Sequence, residues 1–252
     1  MKNLLTVDIG NTNITTGIFK KGYLACKAKT PTHSTGIYKR HLERLIRAAG
    51  ATREDVSGII ISSVVPLALS RFLVELNRFF TPHVRIVGRD IRVPIRNCYK
   101  IKSEVGQDRL VNAYAAKRLY GVPAVIVDFG TAITFDIVSP RGDYLGGLIL
   151  PGIEMSLSSL HRKTALLPRV ELKAVSSVIG KDTVSSIRGG ILFGFGAMCD
   201  GLISRYVKMF CKRPKVIATG GDASLISSYA TTIQTVDEDL TLKGLYLIDS
   251  AT

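Results

Sequence analysis

The sequence predicts an α/β protein in which one strand-rich block occurs twice. Strand-like and helix-like segments alternate along the 252 residues, as is typical of sheets flanked by helices. The run "LLTVDIGNTN" (4–13) ends its apolar residues on an acidic one, and "AVIVDFGTAITFD" (124–136) has the same construction 120 positions later. An acidic residue at the end of a buried strand is costly unless a ligand or a partner requires it. These two stretches therefore predict both the duplication and a site.

The first block is predicted to open with three strands joined by tight turns. Their segments are "NLLTVDIG", "ITTGIF" and "YLACKAK", and the turn-forming cluster Asn11-Thr12-Asn13 separates the first two. The buried segments "SGIIISSVVP" and "HVRIVG" are predicted as two more strands. Apolar residues at helical spacing predict helices over 36–49, 67–80 and 108–121, the second starting at Pro66 and the third ending at Gly121.

The second block repeats this order of elements. "AVIVDFG", "AITFDIV" and "GDYLGGLILPG" are predicted strands, helices are predicted over most of 152–212 and again over 239–247, and "KVIATGG" (215–221) is a strand with its glycine pair where a helix begins. Shifting the first block by 120 positions places Asp8 on Asp128 and Gly22 on Gly142. We therefore expect two domains, residues 1–120 and 121–252.

Charge and composition narrow the classes of partner. The formal net charge is +14, but Lys and Arg are spread along the chain and interleaved with Asp and Glu. A solvated basic surface explains this best, a field that attracts anionic small molecules comes next, and nucleic-acid binding is not expected because no recognised motif accompanies the charge. No apolar run reaches membrane-spanning length, so no membrane partner is expected. The four cysteines form no C-x-x-C pair, which favours reduced thiols in the cytoplasm and no zinc site.

The duplicated Asp-x-Gly hairpin suits polyphosphate chemistry. Glycine in a turn lets backbone N–H groups approach an anion, while the aspartate can hold hydrated Mg²⁺ or a monovalent cation beside it. Two such hairpins facing a common cleft would bind one polyphosphate from both sides, and the glycines of "ATGGDAS" (218–224) would leave room for a nucleoside. The sequence contains neither a P-loop motif nor a dinucleotide-binding G-x-G-x-x-G.

Seven motifs, in order along nearly the whole chain, resemble those of the type III pantothenate kinases. This family is also known as the Bvg accessory factor family and belongs to the acetate/sugar kinase, Hsp70 and actin superfamily. The motifs are "DIGNTN" (8–13), "ISSVVP" (61–66), "VGQDR" (105–109), "VDFGTAITFD" (127–136), "GGLILPG" (146–152), "TALLP" (164–168) and Thr183 ahead of "GGILFG".

The resemblance implies a fold, an activity and a set of ligands. The fold would be two actin/Hsp70-like (ribonuclease H-like) domains, each a mixed sheet flanked by helices, with a cleft between them. The activity would be ATP-dependent phosphorylation of pantothenate to 4′-phosphopantothenate, the first step of coenzyme A biosynthesis. The implied ligands are ATP with Mg²⁺ and a monovalent cation, K⁺ or NH₄⁺, and the implied assembly is a homodimer.

The resemblance also assigns roles to individual residues. Asp108 would be the general base, Asp128 a ligand of the monovalent cation, and Asp8 would face Mg²⁺ bound to the phosphates. The ATP-binding residues would be Asp8, Ile9, Gly10, Asn11, Thr12, Asn13, Ile14, Thr15 and Thr131. The substrate-binding residues would be Tyr99, Gly106, Gln107, Asp108, Arg109 and, from the partner subunit, Thr183.

Three residues depart from the family pattern near the expected acceptor pocket: Lys102, Gln107 and Arg188. They bear on substrate choice more than on kinase chemistry. Two alternatives stay open at this point. One is a non-catalytic regulatory or nucleic-acid-binding protein on the same fold, and the other is a kinase for a different small hydroxy compound.

Overall fold

The computed structural model describes residues 3–34, 38–80 and 83–251. It divides into two compact units that are not contiguous in sequence. The first unit comprises Met1–Ile95, Lys100–Ala115 and Asp239–Thr252, and the second comprises Arg96–Tyr99 and Ala116–Glu238. This division differs from the expected boundary at 120 mainly because the C-terminal segment packs with the first unit.

Ten strands and seven α-helices, labelled in chain order, occur among the described residues. The strands are β1 (Asn3–Ile9), β2 (Asn13–Lys20), β3 (Tyr23–Pro31), β4 (Val56–Ser63), β5 (Val84–Ile86), β6 (Ala124–Phe129), β7 (Ala132–Val138), β8 (Tyr144–Pro151), β9 (Lys215–Thr219) and β10 (Thr235–Val236). The helices are α1 (Tyr38–Ala48), α2 (Pro66–Phe79), α3 (Gln107–Leu119), α4 (Ile153–Lys163), α5 (Thr183–Val207), α6 (Ala223–Ser227) and α7 (Leu240–Ser250). Residues 36 and 37 of the first predicted helix lie outside the described residues.

The sheet of the first unit has the order β3-β2-β1-β4-β5. Strands β1, β2 and β3 are antiparallel neighbours, while β4 runs parallel to β1 and β5 parallel to β4. Side chains alternate across a strand, so β1 buries Leu5, Val7 and Ile9 against α1 and α2. Its other face lies on the side of α3 and α7, where Leu4 packs with Val111. Asp8 lies on this second face.

The second unit repeats the topology strand for strand. Its order is β10-β9-β6-β7-β8, with β6, β7 and β8 antiparallel, β9 parallel to β6 and β10 parallel to β9. Gly22 and Gly142 occupy the corresponding hairpin turns, and both have the left-handed φ that favours glycine, +91° and +82°. The duplication predicted from the sequence is therefore a structural one, and the predicted fold class of two mixed sheets flanked by helices is confirmed.

Two helices occur in the region 152–212, where helices were predicted over most of the residues, and an irregular segment separates them. Helix α4 ends at Lys163 and α5 begins at Thr183, so residues 164–182 form neither helix nor strand. Tertiary contacts hold this segment instead, because the Val175 N–H donates to the Tyr229 hydroxyl and the Val175 carbonyl accepts from it, both at 2.8 Å. Pro168 within the segment also lacks the N–H that a helix interior requires.

Helix α5 is the one described helix that is long and apolar enough to cross a membrane by length and composition alone. Core helices of soluble proteins meet the same criterion. Ile191, Leu192 and Ile203 of this helix are buried in the hydrophobic core of the second unit. Its apolar character is thus accounted for by packing along that side.

Candidate active site

The loop between β1 and β2 follows Asp8 and is fixed by hydrogen bonds from its own unit. The Gly10 N–H donates to the Asn13 carbonyl at 3.0 Å, and the Gly10 carbonyl accepts from Thr32 Oγ1 at 2.7 Å. The Thr32 N–H in turn donates to the Thr12 carbonyl at 3.0 Å. Because buried Thr32 holds the loop at two points, the loop can present a preformed set of groups to a ligand.

The predicted ATP-binding residues of this hairpin differ in their exposure to solvent. Asn11, Thr12 and Asn13 are exposed, whereas Ile9 and Ile14 are fully buried in the core. The two isoleucines therefore have only backbone atoms to offer a ligand. Their assignment as ATP-binding residues stays a prediction that comes from the family motif.

A row of three polar side chains crosses the first sheet at the end of β1. Asp8 pairs with Thr15 on β2 and with Ser62 on β4, and paired residues of neighbouring strands lie on the same face. Ser62 is fully buried, and among the described residues its Oγ is the one buried side-chain polar atom without a hydrogen-bond partner. Sequence reasoning did not assign Ser62 a role, because the register between β1 and β4 is not a local property.

The first turn of α3 carries the predicted general base. Oδ1 of Asp108 accepts a hydrogen bond from the Arg109 N–H at 2.8 Å. A Cβ on Gly106 would lie 2.5 Å from that oxygen, so only glycine leaves room for the carboxylate in this position. Burial raises the pKa of Asp108, and the Arg109 N–H and guanidinium oppose that rise without cancelling it. Arg109 is itself buried.

Residues that depart from the family pattern are accommodated in different ways. Gln107 packs on Gly88, where φ is +86° and a Cβ would lie 2.7 Å from the Gln107 Cδ. Arg188 is half-buried, and its Nε donates to the Glu171 carbonyl at 2.9 Å. Lys102 is exposed in a short 3-10 helix over Lys102–Glu104.

In the second unit the corresponding row is built around Asp128. It pairs with Thr134 on β7 and with Thr219 on β9, so a carboxylate again lies between two hydroxyl residues. Gly220 has a φ of +94°, and a Cβ there would lie 2.6 Å from the Asp128 Oδ1. A Cβ on Gly152 would overlap the Thr131 carbonyl. The two glycines therefore let the end of β9 and the start of α4 approach the predicted cation and phosphate residues.

Tyr99 also belongs to the second unit. Its ring packs on Gly146, where a Cβ would lie 3.1 Å from it, and its centroid lies 6.4 Å from that of Tyr144. The Tyr144 hydroxyl donates to the Asp136 Oδ1 at 2.8 Å, and the Asp136 Oδ2 accepts from Thr134 Oγ1 at 2.9 Å. Contacts through Tyr144 thus connect Tyr99 with Asp136 and Thr134 on β7, the antiparallel neighbour of β6.

Thr183 is the first residue of α5 and is exposed. It borders an open groove of about 730 Å³ that Leu160, Leu167 and Ile187 also line. The Asp182 side chain caps the helix by accepting from the Ser185 N–H at 2.8 Å. Thr183 therefore starts a well-anchored helix beside a partly apolar groove within its own unit.

The structure gathers the predicted residues into two sets. Asp8 to Thr15 and Gly106 to Arg109 lie in the first unit, whereas Tyr99, Asp128, Thr131 and Thr183 lie in the second. No three His, Cys, Asp or Glu side chains among the described residues form a cluster able to hold a metal ion. The donors that are present, single carboxylates beside hydroxyl groups, fit a hydrated Mg²⁺ held partly by substrate phosphates, as is usual for this ion in phosphoryl-transfer sites.

Similar structures define the class to which this molecule belongs. A Baf family protein from Campylobacter jejuni, described as a transcriptional activator, shares 20% identity over 98% of both chains with a TM-score of 0.56. Component A of (R)-2-hydroxyglutaryl-CoA dehydratase from Acidaminococcus fermentans shares 14% over 100% of this chain and 99% of its own, with a TM-score of 0.57. An inorganic polyphosphate/ATP-glucomannokinase from Arthrobacter sp. strain KM shares 14% over the whole of both chains, with a TM-score of 0.52. Together with the doubled sheet topology, they place the chain in the actin/Hsp70-like fold class.

The family model for type III pantothenate kinase matches residues 4–205. The chain therefore belongs to the type III pantothenate kinase family, and the family resemblance predicted from the motifs is confirmed. Membership of this family makes the protein a kinase, that is, a nucleotide-binding transferase whose reaction uses ATP with Mg²⁺.

Proposed function

We propose that the protein phosphorylates pantothenate to 4′-phosphopantothenate at the expense of ATP, as the first step of coenzyme A biosynthesis. Family membership supports the choice of substrate. The observation that supports the chemistry is the Asp108 carboxylate, which is half-buried at the start of α3 and accepts a hydrogen bond from the Arg109 N–H. Asp8 lies on the sheet face that α3 covers, in the same unit.

In this mechanism Asp108 accepts the proton of the pantothenate hydroxyl. The transition state of phosphoryl transfer is loose, so proton removal is late and a carboxylate is a sufficient base. The raised pKa makes Asp108 a stronger proton acceptor than an exposed aspartate. The acceptor is proposed to be bound and oriented by Gly106, Gln107, Arg109 and Tyr99, together with the partner subunit's Thr183.

The phosphate chain of ATP is proposed to bind the exposed loop after β1 and Thr131. Asn11 and Thr12 would donate hydrogen bonds to phosphate oxygens, and Asp8 would face the Mg²⁺ that neutralises their charge. Each group lies at the carboxyl end of the first strand of its own sheet.

Asp128 is proposed to bind the activating K⁺ or NH₄⁺. A Cβ on Gly220 would lie 2.6 Å from the Asp128 Oδ1 and one on Gly130 would lie 3.5 Å from it, so the glycines leave space beside this oxygen that larger residues would fill. Replacing Asp128 with Asn is expected to abolish the activation by KCl and NH₄Cl, measured against NaCl at constant ionic strength. The Asp143→Asn variant on the β7–β8 turn provides a carboxylate control from the same unit.

A homodimer is proposed through the exposed face of α5. Gly190, Gly194, Ala197 and Gly201 recur at helical spacing, and a Cβ on any of the three glycines would meet nothing within 4 Å. Small residues let two helix backbones approach closely. Gly194→Arg is expected to yield a monomer in sedimentation velocity and to lower turnover, because the partner's Thr183 would no longer reach the substrate.

Turnover with a screen of acceptors tests the proposed function. Purified protein is incubated with ATP, Mg²⁺ and K⁺ and with pantothenate or other small hydroxy compounds, and the phosphorylated product is identified by mass spectrometry. We expect 4′-phosphopantothenate as the preferred product. If another acceptor is preferred, the protein is a kinase for a different compound, and the pantothenate assignment is wrong.

The alternative of a regulatory, nucleic-acid-binding protein is favoured by one observation, the net charge of +14. Salt-sensitive DNA binding in the absence of kinase turnover would support that alternative. The proposed enzyme is cytoplasmic, in keeping with four cysteines that are all free thiols.

A further inference from the structure

Ser62 carries the one buried side-chain polar atom that lacks a hydrogen-bond partner in the part of the chain that the structure describes. Its side chain is fully buried, yet its hydroxyl makes no hydrogen bond. Buried hydroxyl groups are nearly always paired, because leaving one unpaired destabilises the folded state. Thr6, two residues before Asp8 on the same face, shows the usual arrangement, since its Oγ1 donates to the Gly17 carbonyl at 3.2 Å.

The register of the sheet places Ser62 beside Asp8 on the same face. The two residues are partners in the parallel β1–β4 ladder, and the preceding pair on that face is Thr6 with Ile60. Ile60 packs with Val111 of α3, so Ser62 lies further toward the end of β4, where α3 begins. A Cβ on Gly106 would lie 3.7 Å from the Val64 side chain, which confirms that the start of α3 is close to the residues just after Ser62.

The second unit shows that this arrangement is part of the duplication. Thr219 occupies the position beside Asp128 that Ser62 occupies beside Asp8. Each sheet therefore places a hydroxyl group on its parallel neighbour strand, in register with the aspartate at the end of its first strand.

We infer that the Ser62 hydroxyl is a binding group for the hydrated Mg²⁺ that accompanies the nucleotide beside Asp8. This inference rests on the proposed function, because it assumes that Asp8 faces the cation. Mg²⁺ in such sites keeps several of its water molecules, and those waters are strong hydrogen-bond donors. A hydroxyl with an unused acceptor, in register with the carboxylate, is suited to accept from one of them. Ser62 is thus a positioning residue that acts through metal-bound water.

The test uses nucleotide binding without the acceptor. The thermal midpoint of the wild-type protein and of Ser62→Ala is followed as Mg²⁺ is titrated at fixed ADP, and Mn²⁺ binding in the presence of ADP is measured by electron paramagnetic resonance. We expect Ser62→Ala to need about tenfold more Mg²⁺ or Mn²⁺ for half-saturation, the size of effect that losing one hydrogen bond to a charged group produces. Without ligand its thermal midpoint is expected to be equal to that of the wild type or higher, because the lost hydroxyl had no partner.

Thr6→Val is the matched control, since it removes a buried hydroxyl that is already paired. It is expected to lower the thermal midpoint and to leave the Mg²⁺ requirement unchanged. An unchanged Mg²⁺ requirement in Ser62→Ala, whether or not its stability falls, would overturn the inference.

The outcomes separate this inference from the proposed function. If the wild type binds Mg²⁺ with ADP but phosphorylates no pantothenate, the proposed acceptor is wrong and the Ser62 comparison is still decisive. If the wild type phosphorylates pantothenate while Ser62→Ala matches it in metal binding, only the role of Ser62 is wrong.

Discussion

Replacing Asp108 with Asn removes the charge of the proposed base and little else. Asparagine has the same shape, and its Oδ1 can still accept from the Arg109 N–H, which the aspartate does at 2.8 Å. The space over Gly106 that the carboxylate occupies also suits a carboxamide. The variant therefore isolates proton acceptance from positioning.

The expected kinetic effect is large. A positioned general base contributes about 10²- to 10⁴-fold to the rate. At about 1.36 kcal/mol for each factor of ten, this corresponds to about 2.7 to 5.4 kcal/mol of transition-state stabilisation. We expect kcat to fall by that factor with a small change in KM for ATP, measured in a coupled assay for ADP release.

Although Asp108→Asn should lower kcat, it should not lower the stability of the folded protein at neutral pH. Because burial raises the pKa of Asp108 above its ordinary value of 3.8, the folded protein binds this proton more tightly than the unfolded chain does. The free energy of unfolding therefore falls as the pH rises through the window between 3.8 and the raised value. Asparagine does not ionise, so Asp108→Asn avoids this decrease in the free energy of unfolding. The midpoint of its thermal unfolding at neutral pH should therefore equal or exceed that of the wild type. In the wild type, kcat/KM should fall as the pH drops through the raised pKa.

Asp55→Asn is a suitable control in the same unit. The exposed Asp55 carboxylate accepts from the Thr52 N–H at 2.7 Å, and this bond lowers its pKa. Its stabilising contribution is present above its ordinary pKa and lost in acid, so the control should be less stable at neutral pH and fully active. An Asp108→Asn enzyme with kcat within threefold of the wild type would refute the role of Asp108 as the base.

Three further expectations concern other parts of the molecule. Gly106→Ala should displace the proposed base and lower kcat at least about tenfold, while calorimetry shows little change in stability, because a Cβ 2.5 Å from the end of a flexible side chain is relieved by rotation. Tyr120→Phe should lower the free energy of unfolding by about 1–3 kcal/mol in urea titrations without changing kcat, since Tyr120 donates at 2.7 Å to buried Asp237. Burial raises the pKa of Cys199 to about 12, so this thiol should react with Ellman's reagent only after unfolding, whereas exposed Cys98 should react at once.

Local patterns were enough to predict the doubled core of the fold. The runs that end at Asp8 and Asp128 predicted both first strands, and the glycines at 22 and 142 marked turns that do require a left-handed backbone. These features depend on residues a few positions apart, which is why the sequence reveals them. The assignment of Asp108 as the base came from the family motif and stays a prediction.

Features that depend on distant residues were not predictable. The prediction of helices over most of 152–212 did not locate the irregular segment 164–182, whose conformation is set by contacts such as the one with Tyr229. Helix α7 was assigned to the second domain, although Leu242 and Leu245 pack on the first sheet. Ser62 lies in the motif at 61–66 but was given no role, because its position beside Asp8 depends on which strand pairs with β1.

The placement of α7 has a consequence for biosynthesis. Residues 116–238, which make up nearly all of the second unit, leave the ribosome before the segment that completes the first. Until that last helix emerges, the nascent amino-terminal sheet has Leu4, Phe19 and Ile60 without the cover that Leu242, Leu245 and Ile248 provide. The first unit therefore cannot complete its packing until α7 has been synthesised, after the residues of the second unit.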